Sequence, residues 1–170
     1  MLKTTAIVEH RDHVPYGYIA IKFCHVDFSG FRADEMEEKW ANIKRERYIK
    51  YAPLYNKNEA QIKTLHYQLN AILAQKESIL NSNSYPLRYE ELAEISKLWN
   101  ELSKQADELN VQLTELEKEN KIIGEKRFFD IYECQREIKN FLQQNGFVLT
   151  HTSSKGNKCV TEIEVWTLEE

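Results

Sequence analysis

The sequence predicts an α+β fold: a small four-stranded antiparallel sheet, one helix packed on it, and a long antiparallel coiled-coil helical hairpin inserted between the two β pairs. The predicted order is ββ-α-α-α-ββ. Three observations predict it. Short segments near both ends alternate apolar and polar residues with a period of two. From 92 to 123 the apolar positions step by three and four without a break. Between that stretch and an earlier helical one lies an Asn/Ser-rich run, residues 81–86, that ends in Pro86 and is too short for anything but an antiparallel return.

Residues 4–10 read as a first strand and 11–17, which contain Pro15 and end in Gly17, as a hairpin loop. Residues 18–25 read as the second strand, with Ile19, Ile21 and Phe23 on one face and Tyr18, Ala20, Lys22 and Cys24 on the other. Met36, Trp40 and Ile43 begin a helical period that Tyr48, Tyr51, Ala52 and Tyr55 continue with a shift of phase. Pro53 lacks a backbone donor and predicts a kink or break near 52–57, and Asn58 with Gln61 has the spacing of a capping box that restarts the helix.

Ile62, Leu65, Leu69, Ile72, Lys76 and Ile79 then follow a 3-4 rhythm. The second seam is Leu92, Ile95, Trp99, Leu102, Ala106, Leu109, Leu113, Leu116, Asn120 and Ile123, and it stops near Gly124. Folding the chain back about residue 84 places Ile79 near Leu92, Ile62 near Leu109 and Ile43 near Ile123. A helix of that second length measures about 48 Å, long enough to project from a small sheet.

The stripe is narrow. Ser96, Ser103, Gln105, Asn110 and Gln112 flank it, and Glu94, Glu101 and Glu115 each precede a lysine by three residues. Residues 40–81 carry seven basic and three acidic groups, whereas 87–120 carry four basic and nine acidic, so the two stretches attract. Asn120 is the one polar seam residue and is placed to set register.

A third helix is predicted over 126–144, with Phe128, Ile131, Cys134, Ile138, Phe141 and Leu142 on one face. Gly146 suits a left-handed cap and Phe147 the apolar contact after it. Strands at 147–151 and 159–168 flank the turn at 153–158. The whole reads as one domain, 1–170: residues 1–32 and 125–170 form the sheet-plus-helix base, and 33–124 the arm.

Composition is that of a folded chain, 42% hydrophobic with five Gly and three Pro in 170 residues. No apolar run has the length of a membrane span, and the opening residues 1–5 lack a signal-peptide stretch. A net charge of −4 implies no global attraction to nucleic acid or anionic lipid, and three scattered cysteines read as reduced thiols in a cytoplasmic protein.

Candidate chemistry is thin. His10, His13, Cys24, His25 and Asp27 are metal-ligand types, but the predicted hairpin separates the two groups by roughly 25 Å. His151 and Cys159 flank the second turn and are too few for a metal site. Cys24 and Cys134 read as buried small hydrophobes. Glu162 and Glu164 share one face of the last strand with Trp166 and Leu168, which reads as a partly exposed sheet face. No nucleophile-elbow or phosphate-loop motif occurs. The expectation is no catalytic residue, no metal, no cofactor and no small-molecule substrate.

Two surfaces stand out. Lys44, Arg45, Arg47 and Lys50 interleave with Tyr48 and Tyr51. The fold-back adds Lys121, Lys126 and Arg127, and the last hairpin adds Lys155 and Lys158 at its tip, a pattern suited to nucleic acid or another anionic partner. Along the arm, Leu65, Leu69, Ile72, Leu92, Ile95 and Trp99, with Leu73 and Leu80 beside the seam, offer an interface to a partner protein or a second copy. The expected function is a non-enzymatic interaction protein (adaptor, regulator or stoichiometric inhibitor, of a phage- or plasmid-effector type) that works through its arm and dimerises. A nucleic-acid-binding accessory factor is the second reading, and a small enzyme with a dispersed site the third.

Overall fold

The computed structural model describes residues 1–13, 21–82, 88–155 and 159–170. In chain order they form β1 (Lys3–His13), β2 (Ile21–Gly30), α1 (Ala33–Ser82), α2 (Tyr89–Lys126), α3 (Ile131–Gln144), β3 (Val148–Lys155) and β4 (Cys159–Glu169). The predicted α+β class, its element order and the helical hairpin are all present. The chain divides into two compact units, one formed by Met1–Lys50 with Glu125–Glu170 and the other by Tyr51–Gly124.

The first unit is a four-stranded sheet in the order β2-β1-β4-β3, every pair antiparallel. β1 therefore pairs on both sides, with Lys3 opposite Glu169 at one end and His13 opposite Cys159 at the other. Thr4, Ala6, Val8 and His10 of β1 are buried, and Ala6, Val8, Phe28 and Trp166 join Met36, Trp40, Ile138, Phe141, Leu142 and Phe147 in one core. Period-two burial on the strands meets a helical stripe on α1 and α3, which is the ordinary way a half-buried sheet is covered.

Both N-terminal strands are longer than predicted. β1 runs on to His13, and β2 continues past residue 25 because Cys24, Val26 and Phe28 keep alternating inward toward the core. Residues 18–20 of the predicted strand, and the loop around them, lie outside the described residues. Gly30 ends β2 with φ +102°, where a Cβ would sit 2.2 Å from the Lys3 carbonyl oxygen. The chain then turns into α1 on two bonds: Phe31 N–H donates to that carbonyl at 3.1 Å, and Arg32 N–H to Thr4 Oγ1 at 3.0 Å.

The predicted break near 52–57 does not occur; α1 continues through Pro53. Proline removes one i→i−4 bond, the one to Ile49, and both Ile49 and Pro53 are exposed, so water can take the freed carbonyl. Asn58 is a buried helix-interior residue, not a cap.

The third helix starts later than predicted. α2 passes Gly124 and ends at Lys126, and Asp130 then caps α3, accepting at Oδ1 from Tyr132 N–H (2.9 Å) and Glu133 N–H (2.8 Å). Phe128, which precedes the helix, is 60% exposed and does not share the buried face. Phe129 takes that place, stacked on Trp40 at 6.1 Å. At the other end Gly146, φ +84°, closes the helix as predicted: its N–H reaches Gln143 O and Phe147 N–H reaches Leu142 O, the paired bonds of a Schellman cap.

In the second unit α1 and α2 run antiparallel. Lys76 lies 4.4 Å over the Trp99 ring, His66 Nε2 is 3.1 Å from Glu117 Oε1, and Asn120 Nδ2 donates to Glu59 Oε1 at 2.7 Å. The predicted seams supply the core: Ile62, Leu65, Leu69, Ala106 and Leu113, with Ile72, Leu109 and Leu116 against it. The register differs from the predicted one by about two helical turns. Ile62 lies level with Asn120 instead of Leu109, and Ile72 is beside Leu109. Polar matching explains the shift. Glu59 meets Asn120, so the adjacent buried Asn58 and Asn120 occupy one level, whereas the predicted register would set Asn58 against Leu113. Ile43, predicted near Ile123, packs instead against the core of the first unit.

Candidate interaction surfaces

Within Tyr51–Gly124, a furrow follows one side of the two helices. Its floor is Leu65, Ile72, Leu109 and Leu116. Its rims are amide and carboxylate side chains: Gln61 and Gln68 from α1, and Gln105, Gln112, Glu108, Glu115 and Glu119 from α2. The spacing explains the arrangement. Positions 61, 65, 68 and 72 recur at four, three and four, so glutamine and aliphatic residues alternate along one edge of α1. Gln105 and Gln112 were legible as seam flanks in the sequence; Gln61 and Gln68 were not singled out, although the same rhythm carries them.

The residues predicted as an arm interface divide into three groups. Leu65 and Leu69 are buried, committed to the contact between the two helices of this chain. Ile72, Ile95 and Trp99 are half-buried, Trp99 beneath the Lys76 ammonium. Leu73, Leu80 and Leu92 are exposed, Leu80 to 64%. Tyr67 adds a ring that is 80% exposed and was not predicted.

The basic and aromatic residues fall in two places. In the first unit Arg47 is held by its own chain: Nε donates to the Lys126 carbonyl at 2.8 Å, Nη2 to Glu133 Oε2 at 2.9 Å, and its guanidinium lies 5.4 Å from the Phe129 ring. These bonds tie α1 to the end of α2 and to α3. Arg127 stands 5.5 Å from both the Tyr48 and Phe128 rings, which meet at 5.7 Å and are both exposed. Lys44, Arg45, Lys50 and Lys126 are exposed nearby in sequence, and Arg45 donates to Asn42 Oδ1 at 2.9 Å.

Tyr51 and Lys121 belong to the second unit, where Lys121 shares a groove with Tyr55, Glu59 and Asn120. Lys155 ends β3, and its side chain, like Lys158, lies outside the described residues. Within the first unit Arg47 bonds to the Lys126 carbonyl and Tyr48 lies beside Arg127, with Phe128 as an unpredicted member.

One further expectation changes. The ladder puts His10 directly opposite Cys24 and Glu9 opposite His25, not roughly 25 Å away, because both strands are longer than read. His25 Nε2 lies 3.1 Å from Asp27 Oδ2 and 3.9 Å from Glu9 Oε2. Even so, no group of three or more His, Cys, Asp or Glu able to hold a metal occurs among the described residues. The face bearing Glu162 and Glu164 is partly exposed, as expected: Glu162 is exposed, whereas Trp166 is buried in the core and its Nε1 donates to Glu164 Oε2 at 2.9 Å.

No described helix is long and apolar enough to cross a membrane. No protein-family model matches the chain, and no curated protein or solved structure matches it significantly.

Proposed function

We propose that the chain is a non-enzymatic interaction protein, an adaptor, regulator or stoichiometric inhibitor, that binds a partner protein through the helical hairpin of Tyr51–Gly124 and dimerises. The observation that carries this reading is the furrow between the two helices. A floor whose partly exposed residues are Ile72, Leu109 and Leu116, with Gln and Glu rims, suits an amphipathic helix, whose apolar stripe would cover the floor and whose basic flanks would meet Glu108, Glu115 and Glu119. Gln61, Gln68, Gln105 and Gln112 all face solvent, so the rims take no part in the packing of the two helices.

Affinity capture from native lysate tests it. The intact chain should retain a defined protein partner. A Gln68→Arg, Gln112→Arg double variant, altered only at exposed rim positions, should keep its helical circular dichroism and lose that partner. Capture that is identical for both proteins would overturn the furrow as the binding surface.

The exposed Tyr48–Arg127–Phe128 stack supports a second reading, a nucleic-acid accessory factor, because bases stack on such rings and phosphates pair with the guanidinium. Single-stranded RNA or DNA binding at low salt, weakened by Arg127→Glu, would favour it over the first.

A further inference from the structure

Cys24 lies on the inner face of β2, and Cys134 in the first turn of α3. The two elements approach with Cα atoms within 8 Å. Cys134 Sγ donates to the Cys24 carbonyl at 3.5 Å, which sets its thiol against the Cys24 residue. Both are free, and both are half-buried, packed at the rim of the core and not sealed within it. A pair so placed is unlike a structural cysteine, which sits alone among apolar atoms and does nothing.

The two sulfurs have different surroundings. The neighbouring Cys24 side chain, with the Lys44 ammonium adding attraction, pulls the Cys134 thiol below its ordinary value. The same contact pushes Cys24 up, with burial and the Glu164 carboxylate adding to it. One thiol is therefore disposed to attack and the other to resolve.

We propose that Cys24 and Cys134 form a thiol–disulfide site that reacts with small-molecule disulfides and closes to a Cys24–Cys134 bond tying β2 to α3. In the first step the Cys134 thiolate attacks one sulfur of the oxidant, forming a mixed disulfide and expelling one thiolate. In the second, Cys24 loses its proton to solvent and attacks Sγ of Cys134, which expels the other half of the oxidant as its thiolate. The protein loses two electrons and two protons; the oxidant is reduced to two thiols.

The test uses the full chain carrying Cys159→Ser, which leaves only this pair. The folded protein is equilibrated with oxidised and reduced glutathione, quenched in acid, alkylated and mapped by mass spectrometry. The expected product has lost two hydrogens, retains no glutathione, and yields one cross-linked peptide pair joining residues 24 and 134, reopened by dithiothreitol. With Cys24→Ser added, glutathione should instead remain on Cys134. Stable glutathione on both cysteines, or a cross-link that forms only in denaturant, would overturn the proposal. The peptide map of the Cys159→Ser protein decides even if the Cys24→Ser variant does not fold.

Discussion

Asn120 donates through Nδ2 to Glu59 Oε1 at 2.7 Å, joining α2 to α1 at a point where Asn120 itself is only 1% exposed. Its Oδ1 and the Nδ2 of Asn58 are buried without a partner among the described residues. The hairpin thus carries a polar level in an otherwise aliphatic seam. Such a level costs stability but opposes slippage, since any other register would bury these amides against leucine.

The exchange Asn120→Asp should therefore be severe. It buries a carboxylate at residue 120 beside the exposed Glu59 carboxylate, and a loss of roughly 2–4 kcal/mol is expected in urea unfolding. Asn120→Leu should do the reverse, raising stability by about 1 kcal/mol, because it removes a buried acceptor that has no donor.

Gly30→Ala should destabilise the first unit. The backbone at φ +102° already disfavours any side chain, and the new Cβ would meet the Lys3 carbonyl at 2.2 Å. Urea unfolding should show a loss of at least about 2 kcal/mol, with the β1–β2 ladder affected first in hydrogen exchange.

Stability should fall in acid through two carboxylates. The Arg32 guanidinium, helped by Lys39, holds Glu35 at about 2. The Glu133 backbone N–H, with that of Tyr132, holds Asp130 below its usual range. A carboxylate depressed on folding stabilises the native state above its unfolded value, and that contribution disappears as pH falls through the folded one. For Glu35 the window runs from 4.5 down to about 2. Thermal melts of Glu35→Gln and Asp130→Asn should accordingly depend less on pH in that range than those of the parent.

Leu73 and Leu80 are one heptad apart on α1 and both exposed. If the hairpin self-associates through them, Leu73→Glu with Leu80→Glu should convert a dimer to monomer in sedimentation equilibrium while leaving the helical signal intact. A parent protein that is monomeric at high concentration would exclude the dimer.

The parts of this fold legible in the sequence are those with a long period. The seam from Ile62 through Ile123 repeats often enough that single irregularities do not matter, and Gly146 with Phe147 declares its cap by residue type. Local boundaries were less legible. Pro53 signals a break from its chemistry alone, yet an exposed helix side tolerates it. The pairing register is marked by Glu59, whose partner Asn120 lies sixty-one positions away, and Asn58, which looked like a cap from its neighbours in sequence, is buried beside that level. The meeting of His10 with Cys24, and of Cys24 with Cys134, likewise rests on strand lengths and helix placement that no local pattern records.

The central position of β1 and β4 has a consequence for how the molecule comes into being. Lys3 finds Glu169 across nearly the entire polypeptide, so half of the hydrogen bonds of β1 cannot form until the last strand has been synthesised. Until β4 emerges, β1 and β2 stand as an isolated ribbon, which is marginal in water, while the helical hairpin closes from near neighbours. Contacts close in sequence, those of the helical hairpin and the caps of α3, can therefore form before the β1–β4 ladder.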